Sequence, residues 1–226
     1  MGQESRDSIT NGGNDLRAAI VATARALCAA GLNAGTAGNV SARTTHGMLI
    51  TPSGVAADAL TLDSLAHVWP DGRAGGPLAP SSEWRFHADI YARHPRAGAI
   101  VHTHSPFATA LACQRLEIPP FHYMIARFGG DTVRCARYAT FGTQELSDHI
   151  LAALDERSAC LIANHGMVVY GRDPAHALAM AIEFETLCEH YWRTAQVGPP
   201  VLLSAQEMAE AIERFAGYGQ AKPAGD

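Results

Sequence analysis

The chain has 226 residues, 47% of them hydrophobic and 17% charged, with a formal net charge of -5. That length suits one domain with a sizeable core, and the composition excludes an intrinsically disordered chain. The acidic balance without a Lys/Arg run argues against a nucleic-acid partner, and no apolar run reaches the ~18–20 residues of a membrane-spanning helix.

Residues 1–14 read as a flexible lead with no apolar signal core, which points to the cytoplasm. Asn14 or Asp15 then caps a helix whose apolar positions Leu16, Ile20, Ala24 and Leu27 recur every three or four residues, ending near Gly31. A hairpin follows, with one strand from Val40, a turn at Thr45-His46-Gly47 and a second strand at Met48–Thr51. Leu65–Trp69 reads as a short strand before the turn Pro70-Asp71-Gly72. Ser81-Ser82-Glu83 opens a second helix, which His94-Pro95 ends after Arg93. Ala97–His102 is a buried strand, and Ser105-Pro106 starts a short helix. Leu116–Tyr123 is extended and broken by proline, and Thr143–Leu154 is a capped helix. Cys160–Ala163 and Met167–Tyr170 are strands flanking Asn164-His165-Gly166. Pro174–Trp192 is a long helix, Ala205–Phe215 the last one, and the chain frays after Tyr218. This order predicts one α/β layered domain over 15–218, with a mixed or antiparallel sheet flanked by helices, and a flexible tail over 219–226. No GxGxxG opens a βαβ unit, which speaks against a dinucleotide fold.

Two residue counts narrow the chemistry. The only lysine is Lys222, in the tail, so a covalent Schiff base or a lysine-bearing phosphate loop is disfavoured. Eleven histidines invite metal chemistry, whereas the five cysteines (Cys28, Cys113, Cys135, Cys160, Cys188) are scattered without CxxC spacing and read as reduced thiols.

His102 and His104 flank Thr103 at a strand end, and period-two alternation aims both imidazoles to one side. Alone, that is two ordinary histidines near a strand end. His165 sits in a tight turn, where a satisfied ring nitrogen is the plainer use. Three histidines from two strand ends nevertheless match a mononuclear zinc site with an open position. Ser81 and Ser82 at a helix start cap backbone in the plainer reading and bind an anion in the sharper one. Glu83 is then a fourth ligand or a general base, and His87, one turn on, faces the core or orients Glu83. Gly38-Asn39 and Ser53-Gly54 are turns whose backbone can approach a ligand. Among the aromatics, Tyr123 is a plausible proton donor, while Phe121, Phe141 and Tyr218 taken singly read as packing.

The ordered segments GLNAGTAGNVS (31–41), GMLITPSG (47–54), LAPSSEWRFH (78–87), IVHTH (100–104), IPPFHYMIA (118–126), CARYATFGTQELS (135–147), NHG (164–166) and FAGYG (215–219) resemble the class II aldolase/adducin family, in particular its fuculose-phosphate-cleaving branch. The resemblance implies one Zn²⁺ per chain held by His102, His104 and His165, with Glu83 completing the resting set and later moving a proton. It implies a phosphate cradle of Gly38, Asn39, Ser53, Gly54, Ser81 and Ser82. It implies that Tyr123 acts across a subunit contact, that Phe141 and Tyr218 line the aldehyde side, and that the chain forms a homotetramer. The implied reaction is reversible retro-aldol cleavage of a ketose 1-phosphate, L-fuculose 1-phosphate or similar, to dihydroxyacetone phosphate and a small aldehyde such as lactaldehyde. Deoxyribulose or methylthioribulose 1-phosphate cleavage, L-ribulose-5-phosphate 4-epimerisation, sugar-acid phosphate decarboxylation and a metal-free adducin-like binding module are the alternatives.

Overall fold

The runs AIVHT, ACLI and MVVY are apolar on both faces, which in a sheet calls for a covering layer of helices on each side. The computed structural model, which describes residues 4–216 with side chains from residue 14 onward, has that arrangement. Its strands are β1 (Asn39–Thr44), β2 (Gly47–Ile50), β3 (Ala66–Val68), β4 (Ala74–Gly75), β5 (Ala99–Thr103), β6 (Cys135–Ala136), β7 (Ala159–Ile162) and β8 (Gly166–Gly171). They form one sheet in the order β4-β3-β2-β1-β5-β8-β7-β6. Neighbours are antiparallel except β6 and β7, which are parallel, so the sheet is mixed.

Side chains leave the central strands alternately. Ala99 and Val101 of β5 join a core with α1 (Glu4–Ala29), α3 (Pro106–Ala112) and α5 (Pro174–Val197). Ile100 joins the opposite core with α2 (Trp84–Arg93) and α4 (Gln144–Ala153). A 3₁₀ helix (Tyr123–Phe128) and α6 (Ala205–Ala216) pack together beside the first of these layers. Among the described residues, no helix is long and apolar enough to cross a membrane.

Several elements differ from the sequence reading. α1 runs from Glu4, ahead of the expected start at Asn14 or Asp15, because elongating a helix costs far less than nucleating it. α2 begins at Trp84, with Glu83 at its cap and no side chain capping it, so Ser81 and Ser82 lie in the loop before the helix. The extended reading of Leu116–Tyr123 holds at Ile118, which bridges Val133, but Tyr123 itself opens the 3₁₀ helix. β4 and β6 have two residues each, too few to show any periodicity. The tail over 219–226, and Tyr218 before it, lie outside the described residues.

One device that fixes the fold next to the histidines is nonlocal. Buried Glu185 of α5 accepts hydrogen bonds from Ser105 Oγ and the backbone N–H groups of Phe107 and Ala108, at 2.7, 2.7 and 2.9 Å. A carboxylate from another helix thus caps α3, satisfying donors that a helix start leaves free. The chain immediately after His104 is anchored as a result.

Candidate active site

The sheet register brings the histidines together. β5 ends beside the start of β8, so His102 pairs with Val168 and Thr103 with Met167, while the β7–β8 turn carries His165 to the same edge. Across the other flank of β5, His102 pairs with Asn39 of β1. Two glycines permit the close approach. Gly38 has φ +72°, and a Cβ there would meet His102 O at 2.6 Å; a Cβ on Gly166 would strike the carbonyl of Thr103.

The three imidazoles face one another with ring centroids 4.8–4.9 Å apart. His102 Nδ1 donates to Met167 O at 2.8 Å, which leaves the Nε2 lone pair pointing inward. That Nε2 lies 3.1 Å from His104 Nε2 and 3.2 Å from Glu83 Oε2, and His165 Nε2 lies 3.2 Å from Glu83 Oε1. His102 is fully buried and Glu83 nearly so. Glu83 Oε1 accepts no hydrogen bond at all, an orphaned buried acceptor. Three inward nitrogens and an unsatisfied carboxylate oxygen, each about 3 Å from a neighbour, repel one another unless a cation or protons lie between them. A tetrahedral ion with bonds of about 2.0–2.1 Å sets its donors roughly 3.4 Å apart, and a His₃ set with one carboxylate suits Zn²⁺. The donor set therefore fits a divalent metal.

The electrostatics of the bare site express the same crowding. Burial alone would raise the carboxyl pKa of Glu83, but His102, His165 and the Asn39 hydrogen bond outweigh it and hold the group well below the usual range. Burial would lower His102, yet the Glu83 carboxylate raises it above its ordinary value. Burial lowers His104, and it pushes His165 down to about 4. One proton shared by Glu83 and His102 is the arrangement of lowest charge cost, and a metal ion would displace it.

The histidine-bearing edge of the sheet opens into a cleft of about 360 Å³. Gly38, Asn39, Ser53, Gly54, Ser81 and Ser82 all line it, as do Glu83, His104, His165 and Phe141. Ser81 is poised for an anion. Its Oγ accepts from Asn39 Nδ2 at 3.0 Å and from Glu83 N at 3.3 Å, so its own O–H is left to donate. One expected member is elsewhere. Tyr123 is exposed and lines a separate groove with Arg127 and Phe215, stacked at 6.3 Å on the Phe215 ring. Tyr218 falls outside the described residues.

Sequence reasoning missed the supports of the site. Asn33 Oδ1 accepts from the backbone N–H of His104 at 3.2 Å. Asn164, in the left-handed region at φ 52°, accepts from Arg115 Nε at 2.6 Å and so braces the turn that carries His165. Tyr138, exposed on the cleft wall beside Phe141, has the Arg115 guanidinium over its ring at 5.9 Å. None has a local signal except Asn164, whose place before His-Gly suits a left-handed turn.

The comparisons with known proteins agree over nearly the whole chain. A family model described as the Class II Aldolase and Adducin N-terminal domain matches residues 18–192. A 5-methylthioribulose-1-phosphate/5-deoxyribulose-1-phosphate aldolase of Rhodospirillum rubrum is 50% identical over 204 residues, 90% of this chain and 92% of that one. An L-fuculose phosphate aldolase of Escherichia coli is 42% identical over 207 residues, 91% and 96% of the two chains. The solved structure of an L-fuculose 1-phosphate aldolase superposes with a TM-score of 0.86 at 34% identity, covering 89% of this chain and 96% of that one.

Proposed function

The chain belongs to the class II aldolase and adducin family and is an aldolase, a carbon–carbon lyase, and on that premise we propose that it uses Zn²⁺ to split a ketose 1-phosphate into dihydroxyacetone phosphate and a small aldehyde. The observation that carries this reading is the convergence of His102, His104, His165 and Glu83 on the floor of a cleft whose rim is glycine backbone and serine hydroxyls. Its substrate ends in an apolar group: 5-deoxyribulose or 5-methylthioribulose 1-phosphate first, since a relative of that name shares half of the aligned residues. L-Fuculose 1-phosphate, which ends in a methyl group, is the second reading, supported by the relatives and the solved structure that carry that name. The exposed ring of Phe141 on the cleft wall suits such a terminus.

His102, His104 and His165 would hold the ion through their Nε2 atoms, with Glu83 as the fourth donor of the resting enzyme. When bound, Zn²⁺ supplies Lewis acidity that stabilises negative charge developing on the substrate's ketone oxygen. The substrate phosphate sits against the Ser81 hydroxyl, the Ser53 side chain and the backbone of Gly38 and Gly54, and the Asn39 N–H that Glu83 holds at rest turns to it once substrate displaces Glu83; these donors offset the negative charge of the chain locally. In cleavage the C4 hydroxyl loses its proton and the C3–C4 bond breaks. Its electron pair stays with the three-carbon fragment, which gains a proton at C3. Glu83, displaced by substrate, delivers that proton, and in the condensation direction it removes it. The C4 proton passes to Tyr123 as that phenol releases its own proton to solvent, and the proton that Glu83 delivers is one it takes up from solvent after displacement, so one proton leaves C4 and one arrives at C3. Tyr123 lies outside its own chain's cleft, so this role needs a neighbouring protomer, and a cyclic homotetramer is the assembly we propose.

A panel of ketose 1-phosphates with coupled detection of dihydroxyacetone phosphate tests the reading. The expected order places 5-deoxyribulose and 5-methylthioribulose 1-phosphates above L-fuculose 1-phosphate in kcat/KM. The reverse order selects the second reading. Absence of product from every member overturns both.

A further inference from the structure

Behind Glu83 and Asn39 lies a buried polar chain, His87, Ser41 and Tyr91, that no step above uses. Glu83, His87 and Tyr91 follow one another at intervals of four residues, so they form one stripe along α2. Asn39 and Ser41 point from β1 toward that stripe, two residues apart. Four residues of helix rise about 6 Å and two of strand about 6.8 Å, so the two rows mesh. His87 and Ser41 are fully buried, Asn39 and Tyr91 nearly so.

The hydrogen bonds of this chain run in one sense. Asn39 Nδ2 donates to Glu83 Oε2 and to Ser81 Oγ, both at 3.0 Å. Its Oδ1 must then accept, and His87 Nε2 lies 2.5 Å away, so Nε2 carries the proton. Burial pushes the His87 pKa down to about 3, so the ring is neutral and Nδ1 is an acceptor. Ser41 Oγ, at 2.8 Å, donates to Nδ1 and accepts from the Tyr91 hydroxyl at 2.8 Å. Turning the Asn39 carboxamide over would set its oxygen against the Glu83 carboxylate and its NH₂ against the His87 N–H. Both contacts are repulsive.

We propose that His87 is a positioning residue: its Nε2–H locks the Asn39 carboxamide with the NH₂ toward Glu83 and the phosphate-facing edge, and Ser41 and Tyr91 lock His87. It rests on the reading of Asn39 and Glu83 given above. His87 has no hydrogen bond to Glu83 itself, so its hydrogen-bonding route to that carboxylate runs through Asn39. In water the amide would turn freely. Here the histidine selects one of two orientations before any ligand arrives, which is preorganisation of both the proton carrier and the anion site.

The direct test is ¹⁵N-histidine NMR on the wild-type, metal-loaded protein. His87 should be protonated on Nε2 and bare on Nδ1, and the opposite tautomer overturns the proposal whatever the substrate proves to be. Kinetics and binding test the consequence. His87→Leu should lower kcat by about 10–100-fold and weaken inorganic phosphate binding, with zinc content unchanged. His87→Gln, which keeps an N–H for Asn39 and an acceptor for Ser41, should restore most of both. In an Asn39→Ala background, His87→Leu should change kcat less than about twofold, because the group it acts through is gone. Wild-type kcat and phosphate binding in His87→Leu, or an undiminished loss in the Asn39→Ala background, overturns the proposal. If the leucine variant does not fold, Ser41→Ala carries the same expectation, a smaller loss that vanishes in the Asn39→Ala background. A wild-type protein inactive on every ketose 1-phosphate fails the aldolase reading, while the tautomer and phosphate binding still judge this one.

Discussion

The two ends of the proposed reaction are built differently. At the metal corner, His102, Glu83, Asn39 and Ser81 are buried, joined by hydrogen bonds and positioned by strands β1, β5 and β8 and helix α2. At the aldehyde end, Phe141 and Tyr123 are 64% and 54% exposed, and Tyr123 opens onto a different groove from the cleft. On the proposed reading, the chain completes charge stabilisation by itself and a second copy finishes the aldehyde side. Precise placement of charged groups demands a rigid, dry setting, whereas an aldehyde-side wall can be borrowed from a neighbour.

The sharpest way to break that comparison is to empty the buried corner. His102→Ala should abolish zinc retention and lower turnover by at least about 10³-fold, read by metal analysis and coupled assay. Retained metal with near-normal turnover would place the chemistry elsewhere. Glu83→Gln keeps the shape and removes the proton carrier. Turnover should fall by about 10²–10⁴-fold while roughly one zinc per chain remains.

Tyr123→Phe probes the open end, with an expected drop of about 10²-fold in kcat and little change in KM. Mixing it with Glu83→Gln subunits sharpens the result. If the site is shared between protomers, random assortment regenerates roughly a quarter of the sites as intact pairs. No recovery would confine each site to one chain.

A gentler probe is pH. In the metal-free protein burial would lower the His102 pKa, but the Glu83 carboxylate raises it above its ordinary value of 6.5. A raised folded-state value means that this stabilisation is fully present below 6.5 and is lost as pH rises through the folded pKa. Metal binding needs the bare imidazole and gains over the same range. The increase in Tm on adding Zn²⁺ should therefore widen from about pH 6 to about pH 8, and a constant or narrowing increment would contradict the shared-proton picture. The smallest effect belongs to Phe141→Ala at the rim, a rise in KM of about three- to tenfold for the apolar-ended substrates with kcat nearly kept.

The parts of this protein legible in its sequence are those with local causes. The α5 start is written as Asp173-Pro174, and Asp173 Oδ1 does accept from His176 N at 2.7 Å. Thr143 likewise caps α4, and the hairpin turn at Thr45-His46 joins β1 to β2. His102 and His104 share a side because a strand alternates, which any reader of the sequence can see. The supports were not legible. Glu185 reads as one more charge on a helix, and only the fold shows that it caps α3 from 77–80 residues away. His87 reads in the sequence as a histidine that faces the core or orients Glu83, but its route through Asn39 depends on the mesh of α2 with β1. The placement of Tyr123 in a 3₁₀ helix rather than an extended segment follows from packing against α6, which leaves no periodic trace.

By itself the sequence determined the alternation of strands and helices, the acidic and nearly lysine-free chemistry, and which side chains could serve as ligands, because period, capping and side-chain type act over a few residues. Tertiary structure alone decided that β1, β5 and β8 lie side by side in the register that gathers His102, His104, His165 and Glu83. Strand pairing between segments tens of residues apart is a balance of burial and loop closure across the whole chain, and no short window of residues contains it.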